Sequence, residues 1–302
     1  MIGSEKETEQ IACSKDYPRI APKIAVLVRV RNEFRALPEF WRMLSDQNIA
    51  SQCEYIFLDC GSTDGSLEYL LTLPASVYRI APEHFSFGRS CNQLIERSTA
   101  PVICFLSAHV FLEQKDALDS AIVALSQGQF SAAYLRQVPN SILGASVYEK
   151  AQLARRYPAK TRCTKVRCPG GFSNAASIFT RDSWLRNPFP DIHGSEDFRW
   201  VQRHLQLGGT LLYLAATTAR HSHNESPEEL FIRVSLNVRA RGTRRSVARS
   251  GTYFIGVFIS LLRVGGSLGE AWHYAVAHAS AYFPRGDGAP NAEQAASIVR
   301  IR

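Results

Sequence analysis

Three observations predict an α/β fold built on a mostly parallel central sheet with helices on both faces. Short apolar, β-branched runs alternate with helical patterns between residues 23 and 125, the pattern of strands joined by helical crossovers. Apolar residues make up 45% of the 302-residue chain, enough to bury a sizeable core. A polar cluster follows each of the three strongest apolar runs, and open α/β sheets bind ligands beyond the carboxyl ends of their strands.

The first run, residues 23–30, lies between Pro22 and the polar Arg31-Asn32-Glu33 and reads as a buried strand. Residues 37–45 follow as a helix that tolerates Pro38 in its first turn. Residues 55–58 form the second strand, ending at Asp59. Gly61, Ser62, Asp64 and Gly65 then make a turn, with Ser66 placed to cap the next helix. Residues 76–80 read as a third strand and residues 90–97 as a helix. Residues 101–106 are a very apolar fourth strand leading into Ser107-Ala108-His109, and residues 117–125 another helix. Beyond Phe130 the pattern loosens: 168–173 reads as a glycine-bearing loop, 195–205 as a helix and 210–215 as a strand. From Ser226 the chain reads as helical and basic. The division expected is a flexible lead over residues 1–20, the α/β domain over 21–225 and a basic helical extension over 226–302.

Val28-Arg29-Val30-Arg31-Asn32-Glu33, followed by Leu58-Asp59-Cys60-Gly61-Ser62-Thr63-Asp64-Gly65-Ser66, resembles the opening of the family 2 glycosyltransferases, which carry the GT-A nucleotide-diphospho-sugar transferase fold. Phe87-Gly88-Arg89-Ser90-Cys91-Asn92 looks like the family's segment before the central strand, and Gly194-Ser195-Glu196-Asp197-Phe198-Arg199-Trp200 like its Glu-Asp helix start. Ser107-Ala108-His109 stands where the family carries an Asp-x-Asp motif. The resemblance covers roughly residues 21–225, and its flavour is that of bacterial rhamnosyltransferase-like members.

The resemblance implies transfer of a sugar from a nucleotide-diphosphate sugar to a glycan or lipid-linked acceptor, inverting, in cell-surface polysaccharide synthesis. It implies that Asp197 takes the proton from the acceptor hydroxyl, with Glu196 beside it positioning the acceptor. Two acids in a first helical turn also simply complement the helix dipole. Asp59, with Asn32 and Glu33 nearby, is implied to hold the nucleotide, and Arg89 and Ser107 to complete that site. Asp59 can equally serve its own turn through backbone N–H groups, and Asp64 reads as a turn or cap residue. Gly171, Asn174 and Trp200 are candidates for sugar or acceptor contact, against a plain turn and a core aromatic.

The Ser-Ala-His segment departs from the family pattern. Paired aspartates suit Mg²⁺ or Mn²⁺; here an imidazole is offered instead. A divalent metal on His109 with His223, or His221 as its substitute, is one expectation. The other is no metal, with His109 hydrogen-bonding the diphosphate and Arg89, Lys165 or Arg167 neutralising it.

The net charge of +8 favours anionic partners. Arg233, Arg239, Arg241, Arg244, Arg245 and Arg249 precede an apolar stretch, which suits peripheral docking on an anionic membrane. A solvated basic face or an oligomer interface is the alternative. No zinc-finger, RNA-recognition or helix-turn-helix signature points to nucleic acid. The seven cysteines are odd in number and scattered, which favours free buried thiols and a reducing, cytoplasmic setting. Cys163-x4-Cys168 lacks a second pair and carries no metal expectation. The polar opening over residues 1–17 has no signal-peptide core, and no apolar run is long enough to span a bilayer. Two other functions fit the same layout: an inactive GT-A-like scaffold and, with its glycine-rich loop missing, a nucleotidyltransferase.

Overall fold

The structure, a computed structural model, describes residues 8–13, 21–160, 162–164 and 171–284. Two compact units emerge, Met1–Gln137 with Tyr157–His221, and Val138–Arg156 with Ser222–Arg302. The strands among the described residues are β1 (Thr8–Cys13), β2 (Ile24–Val30), β3 (Cys53–Asp59), β4 (Ser76–Ile80), β5 (Val102–Ser107), β6 (Ala132–Val138), β7 (Arg162–Thr164), β8 (Ala176–Thr180) and β9 (Leu211–Arg220). The helices are α1 (Leu37–Ser45), α2 (Ser66–Leu70), α3 (Phe87–Glu96), α4 (Ala117–Ser126), α5 (Val147–Arg156), α6 (Arg181–Arg186), α7 (Glu196–Gln206), α8 (Pro227–Ala240), α9 (Val247–Arg263) and α10 (Leu268–Ser280).

The strands form one sheet in the order β1-β4-β3-β2-β5-β8-β6-β9-β7. The parallel run expected from the alternation occupies β4-β3-β2-β5. The sheet is mixed beyond it, since β1 pairs β4, β8 pairs both β5 and β6, and β7 pairs β9, all antiparallel. Ile24 to Val28 of β2 are all fully buried, without alternation. A strand buried on both sides needs cover on both faces, and α3 packs on β2 and β3. In α1, Leu37, Phe40, Met43 and Leu44 make the buried stripe, at helical spacing.

Register sets up the site. Val30 lies opposite Asp59, and Arg29 lies opposite Ser107. The three polar strand exits picked out in the sequence therefore leave the sheet side by side.

Two expectations change. Within the lead over residues 1–20, Thr8–Cys13 is not a flexible tail but an edge strand on β4. The boundary is not a single cut near 225, because Val138–Arg156, with α5, belongs to the unit of the C-terminal helices. That second unit has its own core, in which Tyr148 and Ala151 of α5 meet Leu230, Val234, Val257 and Leu261. Ser226 with Glu229, and Ser267 with Glu270, form capping boxes that start α8 and α10. Among the described residues no helix is long and apolar enough to cross a membrane.

Candidate active site

The β2 and β3 exits are sewn together by short polar side chains. Asn32 takes a left-handed φ of 53°, which asparagine tolerates. Its N–H donates to Ser62 Oγ at 3.1 Å and its Oδ1 accepts from the Thr63 N–H at 2.9 Å. The Glu33 N–H donates to Ser66 Oγ at 2.8 Å, so Ser66 braces this loop rather than capping α2. Asp64 accepts from the N–H groups of Phe34 and Ser66, each at 3.0 Å. Asp59 has no exposed surface; it accepts from Gly61 and Ser62 N–H groups and faces Arg79 at 3.4 Å. Its carboxylate is committed to the turn and to Arg79. This is the turn role set beside the nucleotide role in the sequence, and a buried carboxylate needs such compensating groups.

A chain of four side chains runs past the end of β5. Ala108 and Val110 are buried, and His109 between them presents Nδ1 to Glu33 Oε1 at 2.7 Å. His109 Nε2 lies 3.1 Å from His221 Nε2, and His221 Nδ1 lies 2.8 Å from Gln137 Oε1. The antiparallel bridge between Phe111 and Arg220 holds the two histidine segments in place. An ionised Glu33 only accepts, so His109 carries its proton on Nδ1; Gln137 Oε1 assigns the same tautomer to His221. Each Nε2 then offers a lone pair, and the two lone pairs face each other. That arrangement needs a proton or a cation between them. Two nitrogens bound to one cation at ~2.0–2.1 Å each, at angles between 90° and tetrahedral, stand roughly 2.9–3.4 Å apart. The pair fits a divalent metal, with Glu33 as the carboxylate that orients His109. His221, the substitute in the sequence reading, is the histidine whose Nε2 faces His109. His223 follows two residues along the chain, in the second unit, where its N–H donates to Glu149. Glu33 moves from nucleotide contact to this support role.

The second feature is a buried latch under α7. Arg29 of β2 donates to Glu196 Oε1 at 3.3 Å and to the Phe87 carbonyl at 2.9 Å, with its guanidinium over the Phe87 ring. Burial works against the charge on Arg29, but nearby thiols and Glu196 more than offset it, and its pKa is raised. Burial pushes the Glu196 carboxyl above the usual range, Arg29 pulls it back, and Asp197 adds to the rise. Asn174 donates to the same Glu196 Oε1 at 3.4 Å and accepts from Ser177 Oγ at 3.0 Å. Glu196 and Asn174 are thus buried anchors, not groups presented to an acceptor or sugar. Asp197, next along, is half-buried and accepts from the Phe198 N–H at 2.6 Å. Arg29 was not singled out from the sequence, although a lone charge inside an apolar strand signals a buried partner.

The model of Glycosyl transferase family 2 matches residues 25–179. The chain belongs to this family. It is 24% identical over 225 residues to the O-antigen chain rhamnosyltransferase WbaN of Salmonella anatum, covering 70% of each. It is 24% identical over 224 residues to the O-antigen chain rhamnosyltransferase RfbN of Salmonella typhimurium, again 70% of each. Among solved structures, mannosyltransferase PcManGT from Pyrobaculum calidifontis in complex with GDP-Man and Mn²⁺ superposes with a TM-score of 0.55 at 16% identity, over 96% of this chain and 77% of that one. S. aureus TarS 1-349 in complex with UDP-GlcNAc gives 0.53 at 14% identity, over 86% and 89%. The fold is GT-A-like and the protein is a glycosyltransferase.

In this glycosyltransferase the Phe-Gly-Arg-Ser-Cys-Asn segment is a clamp on the loop that leads to α7. Arg89 pairs with Asp191 at 2.8 Å, which ties it to that loop. Ser86 caps α3 and donates to Asp191 as well. Asn92 holds both polar groups of Phe189, at 2.9 Å and 3.0 Å. Gly88 is needed because a Cβ there would fall 1.7 Å from the Pro190 carbonyl oxygen, which is backbone and cannot swing away. Gly88→Ala will lower the unfolding free energy by roughly 1–3 kcal/mol. Gly251→Ala, whose Cβ meets nothing, will not. Urea midpoints of the two variants check this, and an unchanged midpoint for Gly88→Ala would refute the clamp.

The remaining family 2 candidates resolve simply. Trp200 is fully buried; it stacks on Phe172, Phe189 and His204 and donates to the Asn187 carbonyl at 2.6 Å. It is core, not a sugar platform. Gly171 is buried, and its missing side chain leaves room for the Tyr134 ring, which a Cβ would approach to 2.7 Å. Ser107 ends β5 with its N–H on the Ala175 carbonyl at 3.1 Å. Cys53, Cys60, Cys91 and Cys104 are free and buried. Lys165, Arg167 and Cys168 lie outside the described residues, as do 168–170 of the expected loop and residues 285–302 of the expected extension.

Proposed function

We propose that this glycosyltransferase moves a hexosyl or deoxyhexosyl unit from a nucleotide-diphosphate sugar to a glycan or lipid-linked acceptor in cell-surface polysaccharide synthesis. The O-antigen rhamnosyltransferase relatives favour a deoxyhexose. Transfer is a single inverting displacement. Asp197 removes the proton of the acceptor hydroxyl, which attacks the anomeric carbon as the nucleoside diphosphate departs on the opposite face. The Arg29–Glu196 latch fixes the start of the helix that carries Asp197. The strand exits 31–33, 59–63 and 107–109 form the donor side, with the partly exposed Asn32 and Ser107 offered to the nucleotide.

The observation that carries the reading is the facing pair of His109 and His221 Nε2 atoms at 3.1 Å beside Glu33. We propose that these two imidazoles hold a divalent cation. Mn²⁺ suits nitrogen donors better than Mg²⁺, which demands oxygen. When bound it offsets the charge of the departing diphosphate. We also place the enzyme on the inner face of the cytoplasmic membrane, held by its basic C-terminal region.

Calorimetric titration of UDP, dTDP and GDP, each with and without Mn²⁺, tests the donor site. One nucleotide is expected to bind at roughly micromolar Kd with Mn²⁺, and at least about tenfold more weakly without it or in His109→Ala. Equal binding with and without Mn²⁺ would leave the donor site but remove the metal. No binding of any nucleotide would return the scaffold reading.

A further inference from the structure

We infer that the outer face of the α9–α10 hairpin is an apolar docking surface that inserts into the headgroup region of an anionic phospholipid bilayer. This deepens the membrane reading above and rests on it for the choice of partner; what it adds is the face and the residues.

Helix α9 buries Ser250, Val257 and Leu261 against the second unit's core. An ordinary surface helix would place charges opposite such a stripe. Instead the outward positions are Ile255, Ile259 and Leu262, with Ile255 59% exposed. Helix α10 repeats the pattern. It buries Ala271, Ala275 and Ala279, and turns outward Leu268, Trp272 and Val276, with Leu268 70% and Trp272 55% exposed. The Phe254 ring meets the Trp272 ring edge-on at 5.2 Å between centroids, so the two stripes join into one patch. A contiguous apolar patch of this kind marks a partner surface.

The charge around the patch selects the partner. Residues 231–269 contain no Asp or Glu. Arg244 and Arg249 stand exposed before and at the start of α9, and Arg263 stands exposed at its end. Glu270, exposed between Leu268 and Trp272, is the acid on α10 and is engaged by the Ser267 cap. Arg244, Arg249 and Arg263 outnumber it, and the net cationic rim is complementary to a lipid surface that is anionic. An exposed tryptophan beside aliphatic residues suits the headgroup boundary, where its apolar body and N–H are both satisfied. Helix α9 has 17 residues, about 25 Å at 1.5 Å per residue, and it packs one side on protein. It therefore lies along the interface and does not cross.

The test uses the full chain with vesicles of phosphatidylglycerol and phosphatidylcholine, and with phosphatidylcholine alone. Wild type is expected to sediment with the anionic vesicles. Ile255→Ser/Ile259→Ser is expected to bind them at least tenfold more weakly while keeping the wild-type nucleotide affinity, which shows that it is folded. Brominated lipid is expected to quench part of the wild-type tryptophan fluorescence, and Trp272→Phe to lose that part. Wild type that ignores anionic vesicles would overturn the membrane reading and this surface together. Binding by the serine variant equal to wild type, or quenching that survives Trp272→Phe, would overturn the surface and leave the basic region as the membrane contact. A wild-type dimer that the serine variant turns into monomer, without vesicle binding by either, would make the face a homomeric interface and overturn the proposal.

Discussion

Asp197→Asn will lower kcat by about 10²–10⁴-fold, the usual contribution of a positioned base, and will leave nucleotide affinity within about twofold of wild type. The expectation rests on the difference between two adjacent carboxylates. Glu196 is buried and occupied by Arg29 and Asn174, so it has no access to an acceptor. Asp197 is half-buried in the first turn of α7, where a carboxylate complements the helix dipole. Asparagine keeps the volume, and its Oδ1 can still accept from the Phe198 N–H, so the fold should be retained. A kcat within threefold of wild type, at saturating donor and acceptor, would remove Asp197 from the base role.

Arg29→Met will destabilise the first unit by about 3 kcal/mol, the lower end for breaking a buried ion pair, because the Arg29 side chain keeps 20% exposure. Glu196 is then left without its cation. Its carboxyl is already raised by burial, and Arg29 is the largest influence holding it down; removing Arg29 raises it further. A carboxyl that binds its proton more tightly folded than unfolded stabilises the fold below the unfolded value of about 4.3. That contribution is lost as pH rises through the folded value. The variant should therefore lose stability relative to wild type as pH climbs from about 4 toward neutrality. Arg29→Met/Glu196→Gln should recover part of the loss, since no uncompensated charge remains. Urea titrations across that pH range decide it. A loss independent of pH, or a double variant no better than the single, would mean that Arg29 acts only by filling space.

The parallel half of the sheet was legible because each strand carries its own signal. Residues 23–30, 55–58 and 76–80 are apolar runs bounded by turn residues, and the strands found there are Ile24–Val30, Cys53–Asp59 and Ser76–Ile80. β8 and β6 were not, since Ala176–Thr180 is short and opens on Ala-Ser, while Ala132–Val138 opens on two alanines and carries Arg136-Gln137. They are strands because β5 and each other supply partners, which is tertiary context overriding local propensity. The site divides in the same way. The polar strand exits were readable, and register places them side by side. The side-chain pairings were not, because His109 reaches His221 across 112 residues through a register set by one bridge at Phe111 and Arg220. Local reading therefore gave Glu33 to a nucleotide, Arg89 to a phosphate and Trp200 to a sugar, when each is held by a partner distant in sequence.

That bridge has a bearing on how the enzyme comes into being. Arg29 finds Glu196 across 167 residues, and His109 waits for His221. During synthesis the β4-β3-β2-β5 block can pair as soon as its own strands have emerged, while the centre stays open until β9 has left the ribosome. Contacts of such long sequence separation form late, because the loop-closure entropy comes before the gain. A chain released early would carry the strand exits without the histidine pair or the latch, so competence for transfer arrives as one of the last events of folding.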